Sequence, residues 1–313
     1  MQGPGSGGLE ASPPLTAQPR REMSNGLFAF FLMLPALLVI TFVIIYPLFN
    51  AIATSFFRYF LTDAKGRTFV GLGNYAAMLS SGSFWTVFLN TVVYVAGTVI
   101  GEFILAFALA LLVNFRHRFT NVINSLFFVP WIIPSVVVAL IARFLFFDNY
   151  HGIVNVVLQG LGLIRDFVPW LKDPLLAMPT VTVATIWKMF PFMFVVLYAG
   201  LLAIPLDEIE AAKIDGASAV QRFRHVTLPN MREIIALATI LEFVWQFQYL
   251  TIIWTTTRGG PINRTTTLPI LIYQYAFHGS MDMGFGSSIG VFWMIFLLGF
   301  CIIYVRLVGR REA

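Results

Sequence analysis

The chain has little of what builds a soluble catalyst. It carries one cysteine, Cys301, which excludes an intrachain disulfide and a cysteine-based metal site. Its four histidines, at positions 117, 151, 225 and 278, lack any ligand-like spacing. Charged residues make up 11% of the sequence, against roughly 25% in a soluble domain. No G-x-x-x-x-G-K-[ST] run occurs, so the chain has no phosphate loop with which to bind ATP. The net charge of +5 does not call for a nucleic-acid partner, because membrane topology accounts for where the basic residues fall.

Apolar residues, by contrast, make up 58% of the chain, with 32 phenylalanines. Several runs of about 20 apolar residues predict an all-α polytopic membrane protein. Six transmembrane helices are expected, over 27–49, 84–114, 122–147, 176–204, 234–254 and 285–308. Pro35 and Pro47 are expected to kink the first span or mark its end. Pro130 and Pro134 force an irregularity in the third, tolerated at membrane depth only beside protein or a water-filled cavity. The fifth is unusually polar, with Glu242, Gln246, Gln248, Tyr249 and Thr251.

Residues 1–24, rich in Gly, Pro and Ser, read as a disordered cytoplasmic tail rather than a signal peptide. The six-helix domain then covers 25–309, and 310–313 form a cytoplasmic end. Six spans put both termini on one side. That side has short segments rich in arginine, among them Arg20, Arg21, Arg116, Arg118, Arg222, Arg224, Arg310 and Arg311. Short basic flanks mark the cytoplasm, which also receives the polar loop 205–230.

That loop is the most ordered polar stretch. Asp207 and Glu210 predict a capping box opening a helix, and Gly216 is placed to end it in the left-handed conformation. Ser218 and Gln221 predict a second capping box, and Pro229 closes the unit. The bare reading is a well-capped connector between two spans. Its spacing adds more: Glu210-Ala211-Ala212, three residues, Gly216, nine residues, Val226, one residue, Leu228-Pro229. This resembles the EAA motif in permeases of binding-protein-dependent ABC importers, with Val226 where the family usually has Ile. The segments FVGLGNY, VPWIIPS, WKMFPF and TRGGPINRTTTLPILIYQYAF are similar to carbohydrate permeases of the maltose, trehalose and glycerol-3-phosphate type.

The resemblance implies a type I ABC importer permease in a bacterial or archaeal cytoplasmic membrane. It implies a second, paralogous permease, two ATPase subunits that hold ATP and Mg, an extracytoplasmic solute-binding protein and a saccharide cargo. No cofactor is then expected in this chain. It implies coupling to the ATPases through Glu210, Ala211, Ala212, Asp215 and Gly216. Matched by motif, it implies a substrate pathway at Trp131, Ser135, Thr185, Lys188, Met189, Gln246 and Tyr249. Those residue types suit a sugar, with aromatic rings for stacking and polar groups for hydroxyls. The same Ser, Thr and Gln residues also serve as packing glue between membrane helices. Glu102, Lys188 and Glu242 are ionisable groups at membrane depth, where a functional role and pairing with a neighbour are both open. Lys188 would also suit an anionic cargo. The alternatives are an ion-coupled secondary transporter with those three residues as its relay, or a structural membrane scaffold. The first fits poorly because no internal repeat relates the two halves.

Overall fold

The structure is a computed structural model that describes residues 25–63, 66–114 and 120–309. The terminal segments 1–24 and 310–313 and the basic loop at 116–118 lie outside the described residues. The chain divides into two units, 1–50 and 51–313.

In the first unit, α1 (Asn25–Ile40) runs through Pro35 into a π-turn, Thr41–Ile45, and then into α2 (Tyr46–Thr54), whose last turn belongs to the second unit. Pro47 has no N–H, and its ring presses on the carbonyl four residues back. The π-turn answers this by widening the register, so that Tyr46 N–H reaches Thr41 O. Of the two outcomes expected at Pro47, a kink or an end, the end is not found. Phe28–Thr54 is one 27-residue apolar stretch.

In the second unit the first polar loop is folded, and four of its residues depart from an all-α fold. β1 (Phe57–Arg58) pairs antiparallel with β2 (Thr68–Phe69), Phe57 opposite Phe69. The short helix α3 (Gly73–Leu79) follows, and Asn74 Nδ2 donates to the carbonyls of Ser55 and Phe57 at 2.8 and 2.9 Å. Next comes α4 (Gly82–Asn114), 33 residues long. At about 1.5 Å per residue it exceeds the roughly 30 Å hydrocarbon core. α5 (Thr120–Ile132) and α6 (Ser135–Leu145) are bent against each other by 92°. Pro134 stands at the bend in an extended conformation, φ −55° and ψ 138°, and cannot donate to the preceding turn. α7 (Ile153–Gly160) is a short helix in the loop that follows α6.

α8 (Ala177–Ala203) packs along α4 more extensively than any other pair. Gly101 permits that approach: a Cβ there would stand 2.3 Å from Ile186 Cδ1. Small residues let membrane helices close on one another in this way. The polar loop contains α9 (Leu206–Ile214), α10 (Ala219–Arg222) and α11 (Leu228–Asn230). α12 (Arg232–Gln246) is 15 residues long and gives way to irregular chain before α13 (Thr251–Thr256). α14 (Leu268–Phe277) packs on α15 (Met283–Gly309), and α13 packs on α6.

Among the described residues, four helices are long and apolar enough to cross a membrane, or five if the bent α5–α6 pair is one span. The expected continuous fifth span over 234–254 is not present, because the chain breaks after Gln246. The result is a mostly helical, multi-pass membrane protein.

Candidate functional site

The loop between α8 and α12 is a helical hairpin. α9 begins two residues earlier than a cap at Asp207 would allow. Pro205, with φ −57° and ψ 127°, holds the N-cap position, and no side chain caps the helix. The expected Asp207–Glu210 capping box is thus absent, since a proline is already preset for entry into a helix. The other end is as the spacing predicts. Gly216 adopts φ +77°, Gly216 N–H bonds Lys213 O at 3.1 Å, and Ala217 N–H bonds Ala212 O at 3.0 Å. This pair of bonds is a Schellman cap. Ser218 then forms the capping box with Gln221: Ser218 N–H donates to Gln221 Oε1 at 2.8 Å, and Gln221 N–H donates to Ser218 Oγ at 3.3 Å.

A second π-turn, Phe223–Thr227, precedes Pro229, and Leu228 N–H reaches Phe223 O. Pro229 therefore lies inside α11 and does not close the unit. Asn230 Nδ2 ties the two arms, donating to Glu208 Oε2 at 2.7 Å and Val226 O at 3.0 Å. The inner face of the hairpin, Ile209, Phe223 and Val226, packs against the core. Glu210, Ala211, Asp215 and Gly216 are exposed, and Ala212 is half-buried. Beside them Ile214 and Val220 are 86% and 74% exposed, two apolar side chains on a rigid, capped frame.

The membrane-embedded candidates form a polar seam between helices rather than one pocket. Thr185 on α8 hydrogen-bonds the Tyr94 hydroxyl of α4 at 3.0 Å. Tyr249 donates to Ser135 Oγ of α6 at 2.8 Å. Gln246 Nε2 donates to Glu102 Oε1 of α4 at 2.7 Å and contacts Glu242 Oε2 of its own helix at 3.5 Å. Lys188 Nζ donates to Pro130 O at 3.2 Å and Trp131 O at 2.5 Å. Those two carbonyls end α5, where the bend at Pro134 removes their helical donors, so Lys188 caps the broken helix with a positive charge at its C-terminus. Met189 is buried and Trp131 is 43% exposed.

Five of the seven pathway candidates thus have polar groups bonded within the chain. Three cavities, of about 320, 460 and 340 Å³, are lined by other residues. The first, between the end of α6 and the turn after α13, has Arg143, Lys172, Asp148, Thr256 and Thr257 on its wall. Lys172 Nζ bonds Asp148 Oδ2 at 2.6 Å, which lowers the Asp148 carboxyl below its usual pKa range. Sequence reasoning missed Tyr94, one of several hydroxyls on α4, with Thr91 and Thr98 on either side of it. It also missed the cavity-lining Arg143, which stands near the end of a helix and reads as an ordinary flank.

The family model for the "Binding-protein-dependent transport system inner membrane component" matches residues 102–312. The sulfoquinovosyl glycerol transport system permease protein SmoG of Agrobacterium fabrum is 33% identical over 293 residues, 93% of each chain. The trehalose/maltose transport system permease protein MalF of Thermococcus litoralis is 36% identical over 282 residues, 90% of this chain and 93% of its own. The fold matches a chain of a bacterial alginate ABC transporter, solved with an alginate pentasaccharide-bound periplasmic protein. That likeness has a TM-score of 0.79 at 20% identity and covers 91% of this chain and 94% of the other. The chain belongs to the family of inner membrane components of binding-protein-dependent transport systems and is a permease subunit of an ABC importer, without an ATPase activity of its own.

Proposed function

We propose that this permease forms, with a second paralogous permease, the pathway for a di- or oligosaccharide handed over by a solute-binding protein. Two separate ATPase subunits drive it by docking on the hairpin at 205–230. The observation that carries this reading is the hairpin itself. A loop that merely connected two spans would not need a Schellman cap, a capping box and a cross-arm bond from Asn230 to Glu208 to hold Ile214 and Val220 outward. A rigid polar frame with an apolar tip suits insertion into a cleft on a moving partner. Closure of the ATPase pair would then rotate the hairpin and, through α12, switch access from one side to the other.

In this reading the chain crosses the membrane six times. The bent α5–α6 pair makes one crossing and the broken α12–α13 pair another, with both termini and the hairpin cytoplasmic. Glu210, Ala211, Ala212, Asp215 and Gly216 form the docking edge. Trp131, Ser135, Thr185, Lys188, Met189, Gln246 and Tyr249 line the pathway. When the helices move, the polar groups of Ser135, Thr185, Lys188, Gln246 and Tyr249 exchange their present partners for cargo hydroxyls, and Trp131 and Met189 offer apolar surface. Support for a saccharide comes from the relatives, whose names specify sulfoquinovosyl glycerol and trehalose/maltose.

The test is ATPase activity of the assembled complex in nanodiscs across a panel of neutral and acidic saccharides, each with the solute-binding protein. Stimulation by one liganded binding protein is the expected result and names the cargo. A stable complex that no saccharide stimulates overturns the carbohydrate assignment.

A further inference from the structure

Three side chains at the α4–α12 contact carry an unbalanced set of hydrogen-bonding groups. Glu102, Glu242 and Gln246 are all buried, at 0, 0 and 1% exposure. The Gln246 carboxamide sits between the two carboxyls and sends its Nε2 to one oxygen of each, at 2.7 and 3.5 Å. An amide has two N–H donors, so both are spent. Three acceptor oxygens remain with no partner: Glu102 Oε2, Glu242 Oε1 and Gln246 Oε1. One oxygen of each carboxyl thus lies within 3.5 Å of the same amide nitrogen. Two ionised carboxylates so placed have no proton to donate to one another.

No positive charge balances the pair among the described residues. On α8, Lys188 is committed to the Pro130 and Trp131 carbonyls. On α12, Arg232 and Glu233 lie at the opposite end of the helix. On α15, Tyr304 donates to Ala236 O, and Arg306 lies in the last turn. α14 contributes Tyr273 and Tyr275, and α3 contributes Tyr75, whose hydroxyl bonds Ser55. The hydroxyls of Tyr94 and Tyr249 bond Thr185 and Ser135 and carry no positive charge. Two negative charges side by side in an apolar shell repel each other and lose their hydration together.

We propose that Glu102 and Glu242 are a proton-binding site that latches α12 to α4. One proton from water forms an O–H bond on a carboxyl oxygen, lowers the charge of the pair from −2 to −1, and supplies the missing donor between them. α12 begins at Arg232, directly after the hairpin, so the latch joins the helix that leaves the hairpin to the longest span. The proposal rests on contacts within this chain and stands whatever the cargo.

The experiment is infrared spectroscopy of the assembled transporter, purified through this chain, at neutral pH. Glu102→Gln and Glu242→Gln serve as comparisons, because glutamine keeps the size and neutrality of a protonated glutamate. The wild type should show the carbonyl stretch of a buried carboxylic acid, shifted in deuterium oxide and lost in both variants. In a parallel pH series, wild-type thermal stability should fall as the medium turns alkaline, since the folded state then has to give up a proton that the unfolded chain no longer holds. The Glu102→Gln, Glu242→Gln double variant should stay flat. A wild-type spectrum with carboxylate bands alone overturns the proposal. So does an acid band that appears in choline chloride and vanishes in sodium chloride, which would put a metal cation between the carboxyls.

Discussion

Gln246 and Glu102 are 144 residues apart in the chain, yet the Gln246 carboxamide donates to the Glu102 carboxyl over 2.7 Å. This bond joins the polar end of α12 to the middle of α4, and it turns one isolated buried carboxyl into part of a three-residue network. A buried network holds its helices in one arrangement only while its members remain satisfied.

Replacing Gln246 by leucine removes the donor that both carboxyls share. The assembled permease should lose about 2 kcal/mol of stability, read as a lowered melting temperature in scanning fluorimetry. A melting temperature unchanged from wild type would remove Gln246 from the network. Loss of uptake beyond what the lost stability explains would support a direct contact with cargo.

Lys188→Met takes the cap from the broken end of α5. Two carbonyls, of Pro130 and Trp131, then lack their donor. The buried Pro130 carbonyl costs about 1–3 kcal/mol when orphaned and the more exposed Trp131 carbonyl less, so the variant should be destabilised and should transport neutral and anionic saccharides equally poorly. Selective loss of an anionic cargo in competition uptake assays would instead place the ammonium in the pathway.

Gly216 stands at φ +77° with no heavy atom within 4 Å of the place a Cβ would take. Gly216→Ala therefore tests backbone strain alone, about 1 kcal/mol. The hairpin should loosen, and uptake per ATP hydrolysed should fall while membrane insertion is unchanged. Gly216→Asn, which tolerates the left-handed region better, should recover part of the coupling. Equal coupling ratios in all three proteins would refute the role of this bend.

The Asp148–Lys172 pair sets a pH dependence at the rim of the cavity between α6 and the turn after α13. Lys172 holds the Asp148 carboxyl below its usual range, so the pair contributes fully above the ordinary aspartate value, near 3.9. Its contribution is lost as the pH falls through the lower folded value. The Lys172 side chain is 73% exposed, so solvent screens the pair and the loss should be small. Chemical-shift titration of a labelled Asp148 should report the lowered midpoint, and Lys172→Met should return it to the ordinary value.

Much was legible in the residues themselves. Long apolar runs identify a membrane protein because an unbroken hydrocarbon-length helix satisfies its own backbone. Gly216, and Ser218 with Gln221, mark helix ends because their chemistry is local, and both appear where the spacing puts them. Local rules misled where two signals competed. Pro205 preempted Asp207 at the start of α9, and the π-turns before Pro47 and Pro229 carried helix past prolines that read as stops.

What only the tertiary structure decided was pairing. The sequence shows ionisable groups in apolar runs and cannot say which of them meet, because helix rotation and depth come from packing such as Gly101 against Ile186. Packing brought Gln246 to Glu102, gave Lys188 to the carbonyls of a broken helix, and set Tyr249 against Ser135. The sequence by itself determined the class of protein and the frame of the hairpin, since both depend on neighbours in the chain. The partners of the buried polar groups were decided in three dimensions, because a hydrogen bond is made between atoms within about 3 Å whatever their distance along the chain.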